Sequence, residues 1–457
     1  MKAAWLTLAA CGSPPLVTAP LASDGTHLRD DEGRIALLRG INARVNGVFD
    51  VTFSDGRVAL EPIPVLDTAD CARMRALGFD LLRLPINWSA FEPEPGAFDD
   101  AYLDRVDAAV QCAAGAGMYV LIDLHQDAYS KEIGEDGAPL WAIEPPPTML
   151  LQGPLDDLSA RRTSPQVTAA FDTFFTIADP SGLQAACEDV LARVAARWAD
   201  DPAVIGFELF NEPQAGEANV DGFHFTAAAR VRAAAPHKLV VFEPTALRNL
   251  FDFVPLAKAA FPVHGAVYAP HIYTYVFDSD PTQLDNLTAD TLEPCVEAAR
   301  GEAKAWHAPL FVTEFGISPF ATNADLWMGT EAELHDRFLA SDAFWVWKED
   351  SQGGWGVFDH DAATDTWTER PQVIAWVSRV HAARIAGDVV ANTYDHVAGT
   401  LHLEVASTHG KSHVIYIPER AATTFTASCN GTALAPMRDD STGTISIACD
   451  GALDVAP

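Results

Sequence analysis

The sequence predicts an α/β fold: a (β/α)8 TIM barrel followed by a small β-sandwich. Three observations predict it. Eight strand-like apolar runs alternate with segments whose apolar residues recur at the three-to-four spacing of a helix. The runs are continuously apolar rather than alternating, as in strands covered on both faces, and a count of eight suggests closure. Beyond about residue 385 the helical spacing gives way to short, Thr-rich alternating stretches.

In chain order, the first twenty-five residues read as a leader and tether. One Lys precedes a short apolar stretch, then Leu8-Ala9-Ala10-Cys11, then Gly, Ser and Pro. The pattern resembles a bacterial lipoprotein signal, so the expectation is export (periplasmic, secreted or lipid-anchored at Cys11), with an ordinary tail as the plainer reading. The barrel is expected over 30–385. Its strands are IALLRGINA (35–43), DLLRLPI (80–86), MYVLIDL (118–124), AVIGFELF (203–210), KLVVFEP (238–244), GAVYAPHIY (265–273), APLFVTEFG (308–316) and AFWVWKE (343–349). Stretches such as DTADCARMRALG and QAACEDVLARVAARWA supply helices between them. A long insertion at about 128–185, carrying Trp141 and Pro145-Pro146-Pro147, is too long for a plain βα connection and would stand over the active face. Residues 386–457 form the sandwich.

Composition narrows the function classes. Asp and Glu number 63 against 30 Lys and Arg, a formal charge of −33, which repels nucleic acid and anionic membranes. No Gly-rich phosphate loop and no run long enough to span a bilayer is present. Of seven Cys, Cys429 and Cys449 lie among the late β-like segments and could be joined; Cys71, Cys112, Cys187 and Cys295 sit in helical patterns and read as buried thiols. No Cys/His cluster suggests a metal, and a monomer is the default.

In a parallel barrel the reactive groups come from the C-terminal ends of the strands. Those ends carry Arg83, Asn87, His125, Gln126, Asp127, Asn211, Glu212, Glu243, His271, Tyr273, Glu314 and Trp347, with no Ser or Cys nucleophile beside a base. Two carboxylates facing each other across a barrel mouth suit cleavage of a glycosidic bond: one protonates the leaving oxygen and the other attacks or supports the anomeric carbon. An aromatic ring can stack under a sugar, and amides and imidazoles can bind its hydroxyls.

The motifs RLPINW (83–88), DLHQD (123–127), FNEP (210–213), HIY (271–273), TEFG (313–316) and WVWKE (345–349) resemble glycoside hydrolase family 5, in that family's order. LRGIN, HQDAYS and GAPLWA are most similar to its endoglycoceramidase-type branch, which cuts between glycan and ceramide. The resemblance covers roughly residues 35–385. It implies Glu212 as acid/base, Glu314 as nucleophile, Asn211 on the sugar 2-hydroxyl, and His125, Asp127 and Trp347 around the ring. Tyr273 and Arg83 would orient Glu314 and keep it ionised, and His271 would join the same polar layer. Arg44 stands where the branch has a Lys. The implied reaction is a retaining double displacement on a glycolipid, with no cofactor or metal, and with a Glu212 whose pKa is raised so that it starts protonated.

Plainer readings stand beside these. His125, His271 and Trp347 also fit core positions, and Trp141 and Arg44 are open between packing and ligand contact. Glu208 and Asp123 read as structural polar residues. The insertion residues Leu140, Trp141, Met149, Leu150, Leu151, Phe171, Phe174 and Phe175 could meet a lipid or pack the insertion down. The same mechanism could serve glucosylceramide, a steryl glucoside or a short β-glucan. A non-catalytic carbohydrate- or lipid-binding envelope protein, in peripheral contact with a membrane, is the alternative of another class.

Overall fold

The computed structural model describes residues 19–277, 280, 282–349 and 354–457. Of the expected leader and tether, residues 1–18, Cys11 among them, lie outside the described residues, whereas Ala22–Ser23 is not a free tether but a strand. Eight parallel strands form one sheet: Arg39–Asn42, Leu81–Ile86, Tyr119–Leu124, Val204–Glu208, Leu239–Phe242, Ala266–Tyr268, Phe311–Phe315 and Ser341–Phe344. The first pairs with the eighth. Parallel bridges Tyr268↔Leu310 and Ile272↔Phe315 join the sixth to the seventh, closing the barrel. Gly206 lets the fourth and fifth strands approach, since a Cβ there would meet the Leu239 carbonyl oxygen at 2.5 Å.

The two-residue period of a strand decides what fills the barrel. In the second, third, fifth and sixth strands the even positions Leu82, Leu84, Val120, Ile122, Val240, Phe242 and Tyr268 face the surrounding helices. The odd positions Leu81, Tyr119, Leu121, Leu239, Val241 and Val267 point inward and pack the lower interior. One pleat higher the inward positions turn polar: Arg83, Asp123, Glu243 and, past the sixth strand, His271, all buried. The apolar plug therefore ends directly beneath a charged layer.

The second core lies between two antiparallel sheets. One contains Val389–Asp395, Thr400–Val405, Thr426–Cys429, Thr432–Leu434 and Gly451–Ala456. The other contains His381–Ile385, His413–Tyr416 and Thr444–Ile447, extended by Ala22–Ser23, Leu28–Arg29 and Ile35–Ala36. The run read as one strand over 35–43 is thus shared. Ile35–Ala36 pairs with His381–Ile385 in the sandwich, and Arg39–Asn42 begins the barrel.

Cys429 and Cys449 form a disulfide, and Cys187 and Cys295 are buried thiols, as expected. Cys71 and Cys112 are not thiols: they are joined. Cys71 lies on helix Thr68–Ala76 and Cys112 on helix Asp100–Gly115, so the bond ties the two helices together. The insertion carries helices Leu158–Arg162 and Pro165–Phe174. Phe171, Phe174 and Phe175 are buried; the last two are in ring contact with Phe210 and Phe223 and hold the insertion down, while Phe171 also lines the cavity described below.

Candidate active site

Arg83 is fully buried, and its guanidinium organises the polar layer. Nε donates to Glu208 at 2.6 Å, Nη1 to Glu314 at 2.6 Å and to Asn42 at 3.0 Å, and Nη2 to Asn211 at 2.8 Å, with Asp123 at 3.0 Å. A buried cation needs such pairing, and each acid that it pairs with would be costly alone. Glu208 also accepts from Thr313 at 2.9 Å, which makes it the structural ion pair expected. Asp123 is bonded to His125 Nδ1 at 2.6 Å, again a structural role. Burial pushes the Asp123 carboxyl up to about 6 against the pull of Arg83, and pushes Glu243 well above the carboxylate range, with Glu208 adding to it.

Glu314, at the end of the seventh strand, is held by two donors, Arg83 on Oε1 and the Tyr273 hydroxyl on Oε2 at 2.9 Å. Glu212 follows the fourth strand with φ at 41°, in the left-handed region. Its amide donates to Glu243 at 3.0 Å, and Gln126 Nε2 donates to the Asn211 and Glu212 carbonyls at 2.7 and 3.1 Å. Its Oε1 accepts from Asn249 Nδ2 at 2.7 Å and from His271 Nδ1 at 2.8 Å. One oxygen of each glutamate and a ring nitrogen of His271 lie within 4.8 Å of one another. This trio has the spacing of a metal-ligand set, but the Arg83 guanidinium against Glu314 opposes a cation there.

The raised pKa expected of Glu212 is not what this geometry gives. Burial pushes its carboxyl up, but the hydrogen bond and charge of His271 outweigh burial and hold it at about 2. Burial opposes the His271 imidazolium, yet the charge of Glu314 and the bond to Glu212 raise it above its ordinary value. Both shifts favour a proton on His271 over one on Glu212.

These groups open on a cavity of about 320 Å³. Of the residues named from sequence, Arg44, His125, Asp127, Asn211, Glu212, Tyr273 and Glu314 line it. Arg83 and His271 do not: both lie beneath it and act through the glutamates and Asn211. Trp347 is not at the cavity either. It is buried, donates to Asp70 at 3.0 Å and packs on Phe358. The eighth strand ends at Phe344, not at 349, so the tryptophan presented to the cavity is Trp345, stacked on His125 at 5.8 Å. Trp141 is also removed, with its indole N–H on the Glu92 carbonyl and its ring edge-on to Trp88. Arg44 lines the cavity but is committed to Glu61 at 2.5 Å and Glu349 at 2.7 Å, with Glu135 at 3.4 Å.

Burial of His125 lowers its pKa to about 4, so it meets a ligand as a neutral ring. Sequence reasoning missed Gln126 as the clamp on the 211–212 turn, Asn249 on Glu212, and Arg162, Phe277 and Trp355 in the lining. Gln126 lies within a motif already singled out. Asn249, Arg162, Phe277 and Trp355 come from connections with no local signal.

The chain matches the family model described as Cellulase (glycosyl hydrolase family 5) over residues 60–351. It is 30% identical over 332 residues to endoglycoceramidase I of Rhodococcus hoagii, covering 66% of this chain and 63% of that protein, just under two thirds of its length. A shorter match, 31% over 146 residues, is to a glucosylceramidase of Rhizopus delemar, covering 28% of this chain and 21% of that one. Among solved structures, an endogalactoceramidase superposes with a TM-score of 0.77 at 24% identity, over 96% of this chain and 99% of that one. Endo-glycoceramidase II from Rhodococcus sp. gives 0.73 at 24% identity, over 94% and 99%. At that identity the likeness is one of fold.

Proposed function

The chain belongs to glycosyl hydrolase family 5, and on that premise we propose that it is a retaining β-glycosidase that hydrolyses the bond between glycan and lipid in glycosphingolipids. Retaining chemistry needs carboxyl groups about 5–5.5 Å apart, whereas inversion leaves room for a water at about 6.5–9.5 Å. Glutamate oxygens within 4.8 Å of each other favour the former.

Glu314 Oε attacks the anomeric carbon while the leaving oxygen takes a proton from Glu212. Glu212 receives that proton from His271, along the 2.8 Å hydrogen bond. Attack draws negative charge out of Glu314, which weakens its hold on the His271 proton and favours the transfer. The freed Glu212 carboxylate then takes a proton from water, whose oxygen displaces Glu314 from the glycosyl carbon. His125 and Trp345 form a stacked pair on one wall, and Tyr273 and Arg83 hold Glu314 on its attack line.

The observation that carries the lipid half is the rim. Leu247, Leu250, Phe277 and Trp355 line the cavity, and Leu250, Phe251, Phe253, Leu256 and Phe277 are each more than half exposed. A contiguous exposed apolar surface beside a polar pocket marks an apolar ligand portion. Leu247 to Leu256 and Phe277 come from the connections after the fifth and sixth strands, and Trp355 from the connection after the eighth. Mass spectrometry of products from a mixed glycosphingolipid extract tests this. Intact glycan with free ceramide is expected, and cleavage of cello-oligosaccharide alone would remove the lipid from the account.

The reading extends to export. Two disulfides suit an oxidising compartment. Lipid attachment at Cys11 would then hold the enzyme at the envelope, where its substrate is membrane-borne. Radiolabelled palmitate incorporation that is lost in Cys11→Ser would support the anchor, and equal labelling of the two forms would refute it.

A further inference from the structure

The charged lining of the cavity and its exposed apolar rim come from different parts of the barrel, although Phe49 and Phe171 lie on the charged side and Asn249 on the other. Polar residues Arg44, Asp127, Glu135 and Arg162 come from the connections after the first and third strands. Apart from Trp355, which follows the eighth strand, the apolar rim comes from the connections after the fifth and sixth. In a closed ring of eight, these are opposite sides, and Glu212 and Glu314 project from the fourth and seventh strands between them. With lipid at the apolar side, the glycan lies toward the first and third strands.

That polar end is already occupied. Arg162 closes helix Leu158–Arg162 of the insertion, and its planar fork grips both oxygens of Asp127, Nε on Oδ1 at 2.6 Å and Nη2 on Oδ2. Two parallel charge-assisted bonds fix direction as well as distance. The wall behind cannot retreat, because Arg44 is held by Glu61, Glu135 and Glu349, all buried. The movable part is Arg162, whose side chain is 37% exposed against 16% for Asp127.

From this arrangement we infer that Arg162 is a specificity-determining residue that limits the glycan end to a single neutral hexose. The inference rests on the glycolipid reading above. A second sugar must displace the guanidinium and leave Asp127 without its partner. An anionic sugar gains nothing there, because both arginines are already matched by carboxylates.

The test compares kcat/KM for a monohexosylceramide and a neutral trihexosylceramide, which present the same type of bond to Glu314, in the wild type, Arg162→Ala and Arg162→Lys. The wild type is expected to favour the monohexosyl lipid by about tenfold or more. Arg162→Ala should cut that ratio by about tenfold, by raising the trihexosyl value, and Arg162→Lys, which keeps the charge without the fork, should fall between. Because the ratio is read within each variant, a loss of folded protein lowers both rates alike and leaves it unmoved. Equal wild-type values for the two lipids, or a ratio unchanged in Arg162→Ala, would overturn the inference and leave the glycolipid activity standing. Cleavage of neither lipid would remove that activity, and the inference with it.

Discussion

Glu212 holds its carboxylate on a backbone at φ 41°, a region that costs a residue with a β-carbon roughly 1–2 kcal/mol. Gln126, donating to two consecutive carbonyls, and Glu243, accepting the Glu212 amide, keep it there. Gln126→Leu should therefore lower kcat by about tenfold to a hundredfold, since misplacement by an ångström is enough for that loss, with KM moving less. The proton follows a similar logic. His271 is raised above its ordinary 6.5, so proton donation through Glu212 should persist above 6.5, and the basic limb should fall as pH rises through the His271 value. His271→Asn should move that basic limb downward and reduce kcat by about a hundredfold; an unmoved limb would detach the proton from His271. Stability has the matching signs. Glu212, lowered to about 2 from 4.5, contributes stability that is present above 4.5 and lost as pH falls toward 2. His271 contributes below 6.5 and loses its contribution as pH rises through its raised value. The two glutamates, Asn211 and Tyr273 were legible because each stands in a local motif at a strand end. The direction of the Glu212 shift was not, because it depends on a ring brought from two strands away. Asn249 and Arg162 were illegible for the same reason.

At the scale of elements, the end of the eighth strand separates two tryptophans two residues apart. Trp345 lies on the cavity and Trp347 in the core beneath helix Thr68–Ala76, bonded to Asp70. Trp345→Ala should raise KM with little change in thermal midpoint. Trp347→Phe should leave KM near the wild type and cost stability, because it strips Asp70 of an indole donor; the opposite pattern would restore Trp347 to the sugar. Sequence pattern found the strand but not its end, since the apolar run AFWVWKE continues past the last paired residue, Phe344. The helix over Trp347 is itself tied down by Cys71–Cys112, across a separation of 41 residues. Changing both cysteines to serine should cost about 2–4 kcal/mol in a denaturant titration under oxidising conditions. Helical spacing cannot reveal that bond, because a pair of facing cysteines on neighbouring helices looks the same as two buried thiols until the helices are docked.

For the whole molecule, the barrel was legible from eight runs and their order, because strands buried on both faces must be apolar throughout. The seam between barrel and sandwich was less so. Residues 22–36 return to the sandwich sheet by pairing with a strand some 350 residues later, and nothing local announces such a partner. The source of the apolar rim was open in the sequence reading for a related reason: Phe174 and Phe175 of the insertion are spent on packing, while the short connection at 247–256, which carries no motif, is left exposed. Net charge acts at this scale too. At −33, the enzyme should cleave a glycolipid in anionic vesicles more slowly than in zwitterionic ones, and added salt should narrow the gap. Equal rates at low salt would show that the rim alone governs docking. The central claim, a double displacement through Glu314 with Glu212 as acid/base, is tested most directly by trapping. Incubation with a 2-deoxy-2-fluoro β-glycoside bearing a good leaving group, followed by peptide mass mapping, should place one glycosyl unit on the peptide containing Glu314. An adduct on another residue, or turnover of the glycoside to the α-configured sugar with no adduct, would contradict the account.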